Sequence, residues 1–194
     1  MNLPNKLTVA RIVLIPVFIA LFFIPFPWHR LAAVGVFGIA SLTDFLDGHI
    51  ARSRGLVTNL GKFLDPIADK MLVASALVAV CVTEPAAEPQ TPFFICVAVF
   101  TMIILSRELM VSGFRIVAAD KGVVLAADKL GKIKTVLQMA ALIVLLPTAD
   151  IAAANVTVGE VFYYIGFAFL AAATVMTIAS GLNYILRNRQ VLEG

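Results

Sequence analysis

The chain has 194 residues, 61% of them hydrophobic and 14% charged, with a formal net charge of +3 and a mean hydropathy of +0.98. A soluble domain is nearer half apolar and a quarter charged, so this composition excludes an ordinary water-soluble fold and predicts an all-α membrane protein. No low-complexity tract or Gly/Ser linker divides the sequence, which is read as one membrane domain over residues 1–194.

Residues 2–6, Asn-Leu-Pro-Asn-Lys, predict a short polar surface segment with an entry turn at Pro4 and Asn5. Leu7 to Phe26 then supplies about 30 Å of apolar helix. No small-residue cleavage site separates that run from Pro25 and Pro27, so it is expected to stay as a first membrane helix rather than leave as a signal peptide. Lys6 and Arg11 at its start suit contact with phospholipid headgroups, and Trp28 suits the membrane interface. A second helix is predicted from Leu31 to Ser53, and a third carries Asp65 and Asp69 near its start and ends about Thr83. Between them, Arg52, Arg54 and Lys62 bracket a short basic connection around Gly55 to Asn59. Glu84 to Pro92, with three prolines and two acids, is the clearest break.

Helix four is predicted from Phe93 to Ala119. Its second half holds Ser106, Arg107, Glu108 and Arg115; the two arginines, eight apart, fall nearly on one face, and Glu108 at seven is spaced to pair with Arg115. Asp120 to Lys134 is a connection rich in lysine. The fifth helix runs from Ile133 to Pro147, with Gln138 one turn beyond Lys134. Asp150 to Gly159 has neither Lys nor Arg, and a sixth helix spans Val161 to Leu186, closed by Arg187 and Arg189. Cys81 and Cys96 lie in apolar runs with no second Cys or His beside them, where a free Cys acts as a small hydrophobe rather than as half of a metal or redox pair. The Lys and Arg residues gather at the N-terminus, near residues 52–62 and 115–134, and at the C-terminus, whereas the opposite loops hold only Arg30. The positive-inside rule therefore predicts six transmembrane helices with both termini cytoplasmic, and brings the Asp-rich helix ends to the same membrane surface.

Those Asp-rich ends read Asp44-Phe-Leu-Asp47-Gly48-His-Ile-Ala51-Arg52, then eight residues, then Gly61-Lys-Phe-Leu-Asp65-Pro-Ile-Ala-Asp69. Asp44 and Asp47 are three apart and Asp65 and Asp69 four, so on helices each pair shares a face. Two such pairs facing each other repel unless hard, oxygen-preferring cations, Mg²⁺ or Mn²⁺, sit between them. An intramembrane carboxylate is in any case expected to be functional. Gly48 and Ala51 form a small-residue strip above the first pair, and Arg52 adds a cation suited to a phosphate oxygen. Together they describe a ligand that bears a pyrophosphate. The competing reading is capping, with Asp65 before Pro66 as an N-cap; it leaves two spaced pairs unexplained.

The pattern D-x2-D-G-x2-A-R-x8-G-x3-D-x3-D, met here at all eight defined positions from Asp44 to Asp69, resembles that of the CDP-alcohol phosphotransferases. The resemblance implies two metal ions, Mg²⁺ or Mn²⁺, on Asp44, Asp47, Asp65 and Asp69, with Asp69 also the candidate catalytic base. It further implies that Gly48, Ala51, Arg52 and Gly61 border the nucleotide, and that the protein is a homodimer in the cell membrane with its active site facing the cytoplasm. The reaction implied is attack on a CDP-activated lipid at the phosphoryl group attached to the lipid, with release of CMP.

A phosphorylated acceptor calls for further cations, and Arg107, Arg115, Lys132 and Lys134 are the candidates. The segments Ser106-Arg107-Glu108 and Leu130-Gly-Lys132-Ile-Lys134-Thr135, with Gln138 and the opening Leu3-Pro4-Asn5-Lys6-Leu7-Thr8-Val9-Ala10-Arg11, are similar to the bacterial phosphatidylglycerophosphate synthases within that family. The substrates so implied are CDP-diacylglycerol and glycerol 3-phosphate, with membrane lipids around them and no nucleic acid. Inositol phosphate or serine as acceptor stays open at this level. An Asp-rich prenyltransferase would need a second Asp-rich motif, for which Asp120 and Asp128 are too sparse. A carboxylate-lined cation transporter would need no Gly48, Ala51 and Arg52 beside its acids.

Overall fold

In a computed structural model that describes residues 3–53, 59–83, 92–121 and 129–189, seven α-helices account for nearly all of the described chain. They are α1 (Leu3–Phe23), α2 (His29–Ser53), α3 (Asn59–Thr83), α4 (Pro92–Asp120), α5 (Lys129–Leu145), α6 (Thr148–Ala154) and α7 (Val156–Arg187). Residues 54–58, 84–91 and 122–128, which hold most of the connections predicted at Gly55–Asn59 and Glu84–Pro92 and half of that at Asp120–Lys134, lie outside the described residues, and Lys129 to Lys134 belong to α5 rather than to a connection. Among the described residues, four stretches are long and apolar enough to cross a membrane, Asn5–Phe23, Phe93–Ala119, Leu130–Ala154 and Val156–Arg187, and α2 adds a shorter apolar stretch, His29–Thr43. This is a multi-pass, all-helical membrane protein.

The helices differ from the sequence expectation at their ends. Pro4 and Asn5 lie inside α1 rather than in an entry turn; proline is tolerated in a first helical turn, where its missing N–H has no intrahelical partner to lose. Arg11 has no exposed surface, so the headgroup role fits only Lys6, which is exposed. Between α1 and α2, Trp28 adopts a left-handed φ of 62°, the sharp reversal that lets the chain re-enter a helix at once. The stretch beyond Pro147, read from the sequence as the connection between the fifth and sixth helices, forms the short α6. Asn155 then ends α6 in an extended conformation and caps α7, its Oδ1 accepting the Val158 N–H at 3.2 Å.

The chain divides into two compact units. The first comprises Met1–Thr83 and Leu146–Glu160, the second Glu84–Leu145 and Val161–Gly194. In the first, α1 packs on α2 and α3. Helical spacing explains why: Ile15, Phe18 and Phe22 form one stripe of α1, Ala33, Phe37 and Ala40 one of α2, and Ala68, Leu72 and Ala76 one of α3, all buried. Phe18 lies 5.9 Å, ring to ring, from both Phe22 and Phe37. The small alanines let the helices approach the large rings.

Asp150 of α6 closes this unit. Its Oδ2 accepts the backbone N–H groups of Arg30 and Leu31 at 2.9 and 3.1 Å, and its Oδ1 lies 3.9 Å from His29 Nε2. These amides belong to the first turn of α2 and have no partner within their own helix, so a side chain 120 residues away caps it. Asp150→Ala should lower thermal stability in detergent by roughly 1–2 kcal/mol, and Asp150→Asn by less, because an amide oxygen still accepts both bonds. An unchanged melting temperature in Asp150→Ala would show that the cap carries no net stability.

In the second unit the buried apolar residues of α4, Val97, Ile104, Val111 and Ala118, recur every seven positions, and the intervening Thr101, Glu108 and Arg115, of which Thr101 is buried too, share the adjoining stripe. On α5 the buried face starts polar, with Lys134 and Gln138, and continues as Ala141, Leu142 and Leu145. On α7, Thr174 and Thr177 turn their hydroxyls back to the carbonyls of Leu170 and Ala173 at 2.8 and 2.6 Å, and so are satisfied without water. A Cβ at Gly166 would meet Leu145 Cγ at 2.6 Å, so only glycine lets α7 pass this close to α5. Phe93, Tyr163, Tyr164 and Phe167 form an aromatic cluster with ring separations of 5.1 to 6.4 Å that joins the start of α4 to α7.

Candidate active site

The carboxylate pairs belong to the first unit. Asp44 and Asp47 stand on the last turns of α2, and Asp65 and Asp69 on the first half of α3. The two helices touch within the unit. The side chains of residues 44–53 lie outside the described residues, and with them the predicted roles of Asp44, Asp47, Gly48, Ala51 and Arg52. Among the described residues no group of three or more His, Cys, Asp and Glu side chains forms a metal site.

On α3 the geometry is explicit. Asp65 is half-buried, Asp69 is exposed one turn further on, and Gly61 is buried one turn before. The helix begins at Asn59, six residues upstream of Asp65, and Pro66 lies within it; capping therefore does not explain Asp65. The Thr8 hydroxyl of α1 donates to Asp65 Oδ1. Thr8 is itself buried, as are Asn5 and Arg11 one turn to either side, so the first half of α1 presents a polar face where its second half presents Ile15, Phe18 and Phe22. Asn5 and Thr8 were no part of the predicted site, and the signal that finds them is their spacing: Asn5, Thr8 and Arg11 recur every three residues in a helix that is otherwise almost wholly apolar. Hard carboxylate oxygens spaced one turn apart, one of them oriented by a hydroxyl, suit Mg²⁺ or Mn²⁺.

The predicted acceptor cations belong to the second unit, and the structure joins two of the four. Arg107 and Lys134 both bind Glu108 Oε1, at 3.2 and 2.5 Å. Arg107 Nη2 also donates to Ser180 Oγ of α7 at 2.9 Å. A Cβ at Gly181 would lie 3.1 Å from Arg107 Cγ, so the bare backbone at that position gives the arginine stem its path along α7. Arg115 is two turns along α4 and engages Tyr184 instead, Nε to Oη at 3.2 Å with the guanidinium 5.6 Å from the ring centroid. The predicted Glu108–Arg115 pair is thus replaced: Lys134 arrives from α5 and takes the carboxylate. Lys132 is exposed, two residues before Lys134 and turned away from it around the helix.

The family model of the CDP-alcohol phosphatidyltransferases matches residues 1–181, which takes in the carboxylate pairs, the Arg107–Glu108–Lys134 cluster and most of both units. The chain belongs to the CDP-alcohol phosphatidyltransferase family. Among its relatives, a protein of Bacillus subtilis (strain 168) named CDP-diacylglycerol–glycerol-3-phosphate 3-phosphatidyltransferase is 40% identical over 204 residues, covering 99% of this chain and 97% of its own. Proteins of the same name from Pseudomonas fluorescens and Rickettsia bellii (strain RML369-C) are 37% and 39% identical, over 95% and 94% of this chain and 89% and 93% of theirs. Membership sets aside the prenyltransferase and the cation transporter.

Thr8→Val, which keeps the shape and removes the donor, should cost about 1 kcal/mol of stability in the presence of chelator, a modest value because Asp65 is half-exposed. Thr8→Ser should retain it. Equal melting temperatures for Val and wild type would mean that the Thr8–Asp65 bond does not hold α1 against α3.

Proposed function

We propose that this protein transfers the phosphatidyl group of CDP-diacylglycerol to glycerol 3-phosphate, yielding phosphatidylglycerophosphate and CMP. The observation that carries this reading is the near end-to-end match with relatives of that name, together with a carboxylate motif complete at every defined position. In it, Asp44, Asp47, Asp65 and Asp69 hold two ions, Mg²⁺ or Mn²⁺, which when bound offset the charge of the pyrophosphate and of the departing CMP. Gly48, Ala51, Arg52 and Gly61 border the nucleotide, Gly48 leaving room for it against α2. A hydroxyl of glycerol 3-phosphate, its proton accepted by Asp69, forms a bond to the phosphorus that carries diacylglycerol, as the bond from that phosphorus to the CMP oxygen breaks. Arg107 grips the acceptor phosphate as a planar fork, and Lys134, Lys132 and Arg115 supply further positive charge.

The test is incubation of the purified protein with CDP-diacylglycerol, radiolabelled glycerol 3-phosphate and Mg²⁺, followed by lipid extraction. Label should enter the lipid phase, chelator should abolish transfer and Mg²⁺ or Mn²⁺ restore it. Asn at any of the four Asp positions should cut turnover by about three orders of magnitude or more. Label left in the aqueous phase with glycerol 3-phosphate, but not with inositol phosphate or serine, would move the assignment to another acceptor.

In the cell we place the protein in the cytoplasmic membrane as a homodimer of six-span subunits with both termini and the carboxylate ends of α2 and α3 cytoplasmic; the distribution of Lys and Arg supports the orientation, and the family resemblance the homodimer. In a cysteine-free background, Lys121→Cys should react with an impermeant thiol reagent only from the cytoplasmic side and Asn155→Cys only from the outer side. The reverse labelling would overturn this orientation.

A further inference from the structure

We propose that Glu108 is a positioning residue for the acceptor: one of its carboxylate oxygens sets the spacing of Arg107 and Lys134 and so builds the anion site between α4 and α5. The inference rests on the reading of those two cations as the acceptor's phosphate contacts. Lys134 and Arg107 have side chains only 7% and 13% exposed, and the Glu108 carboxylate between them is 24% exposed. Two cations bound to one oxygen lie within about 6 Å of each other, where in a poorly solvated site they repel strongly. An amine as buried as Lys134 is also costly to keep charged without a counter-ion. The carboxylate answers both demands, since it neutralises one charge of the pair and leaves a net positive cluster.

Donors remain for a ligand. Arg107 spends Nη1 on Glu108 and Nη2 on Ser180, while its buried Nε makes no hydrogen bond among the described residues. Lys134 has three protons and gives one to Glu108. Ser180 holds the guanidinium from α7, and Glu108, its neighbour on α4, holds it through the oxygen that Lys134 of α5 also binds. The fork is held at both ends before any phosphate arrives, which is how a site gains affinity by preorganisation. Among the described residues, Ser180 of α7 bonds to this cluster, and Gln138, buried one turn along α5 from Lys134, has an Nε2 without a hydrogen-bond partner.

A bare structural clamp between α4 and α5 makes a different prediction from a positioning residue, and steady-state kinetics separate them. With purified protein, CDP-diacylglycerol and glycerol 3-phosphate, Glu108→Gln should raise the KM for glycerol 3-phosphate about 10-fold or more, with kcat and the KM for CDP-diacylglycerol within about twofold of wild type. Glu108→Asp, which keeps the charge but is one methylene too short to reach both cations, should fall between. The Glu108→Gln/Lys134→Gln double variant should raise that KM by clearly less than the product of the two single effects, because part of the carboxylate's action passes through the lysine. A folded Glu108→Gln protein with wild-type KM would overturn the proposal. So would a fall in melting temperature accompanied by equal rises in both KM values, which is the signature of a clamp. If Glu108→Gln does not extract as folded protein, the Asp variant decides, and a wild-type KM there overturns the proposal equally. Failure of the wild-type protein to use glycerol 3-phosphate at all would remove the functional reading and this inference together; use of it with indifference to Glu108 would remove the inference alone.

Discussion

A polar group inside a helix this apolar has no water to fall back on, so it must find its partner within the protein. That one constraint accounts for most of the specific contacts described. Thr8 reaches across to Asp65, Glu108 gathers Arg107 and Lys134, and Thr174 and Thr177 fold back on their own helix. The apolar stripes supply close packing between helices but little register, because one Leu or Ala slides past another at small cost. Directional contacts between polar groups fix which residue stands opposite which.

The units use this device differently. In the first, the polar contacts lie at the two ends of α1 and α2, and the middle is rings against alanines. In the second, the polar cluster sits within the helix bodies, Lys134 at the buried start of α5 and Ser180 deep in α7. Ser180 is well suited to its place. Its hydroxyl donates to the Thr177 carbonyl at 3.2 Å and accepts from Arg107 at 2.9 Å, so both capacities of one small group are used.

What the sequence discloses follows the range of the interaction. The helices were legible because apolar runs and Pro-rich breaks are local, and the Asp pairs because three- and four-residue spacing is a property of one helix. Helix α6 was not, since a seven-residue stretch, Thr148 to Ala154, beyond a proline carries too few turns to show a period. The partners of Asp65, Arg30 and Glu108 were illegible for another reason. They lie 57, 120 and 26 residues away, and spacing along one helix says nothing about a side chain that arrives from another. Glu108 was accordingly matched with Arg115, the cation its own helix offers, whereas tertiary packing turned Arg115 to Tyr184 and brought in Lys134. The seven-residue recurrence of Val97, Ile104, Val111 and Ala118 was visible in the sequence, and it marks the face of α4 beside which Glu108 must lie.

The cap on α2 also has a meaning in time. A ribosome adds about 5–20 residues per second, so roughly 6–24 s separate the emergence of Arg30 from that of Asp150, 120 residues later. Throughout that interval the first turn of α2 has amides that only water or lipid headgroups can satisfy. The first unit, although it begins the chain, therefore cannot be finished until α4 and α5 have been made and inserted. Its assembly is a late event in biogenesis, and an insertion intermediate that stalls before Leu146 carries an α2 whose leading end is still seeking the membrane surface.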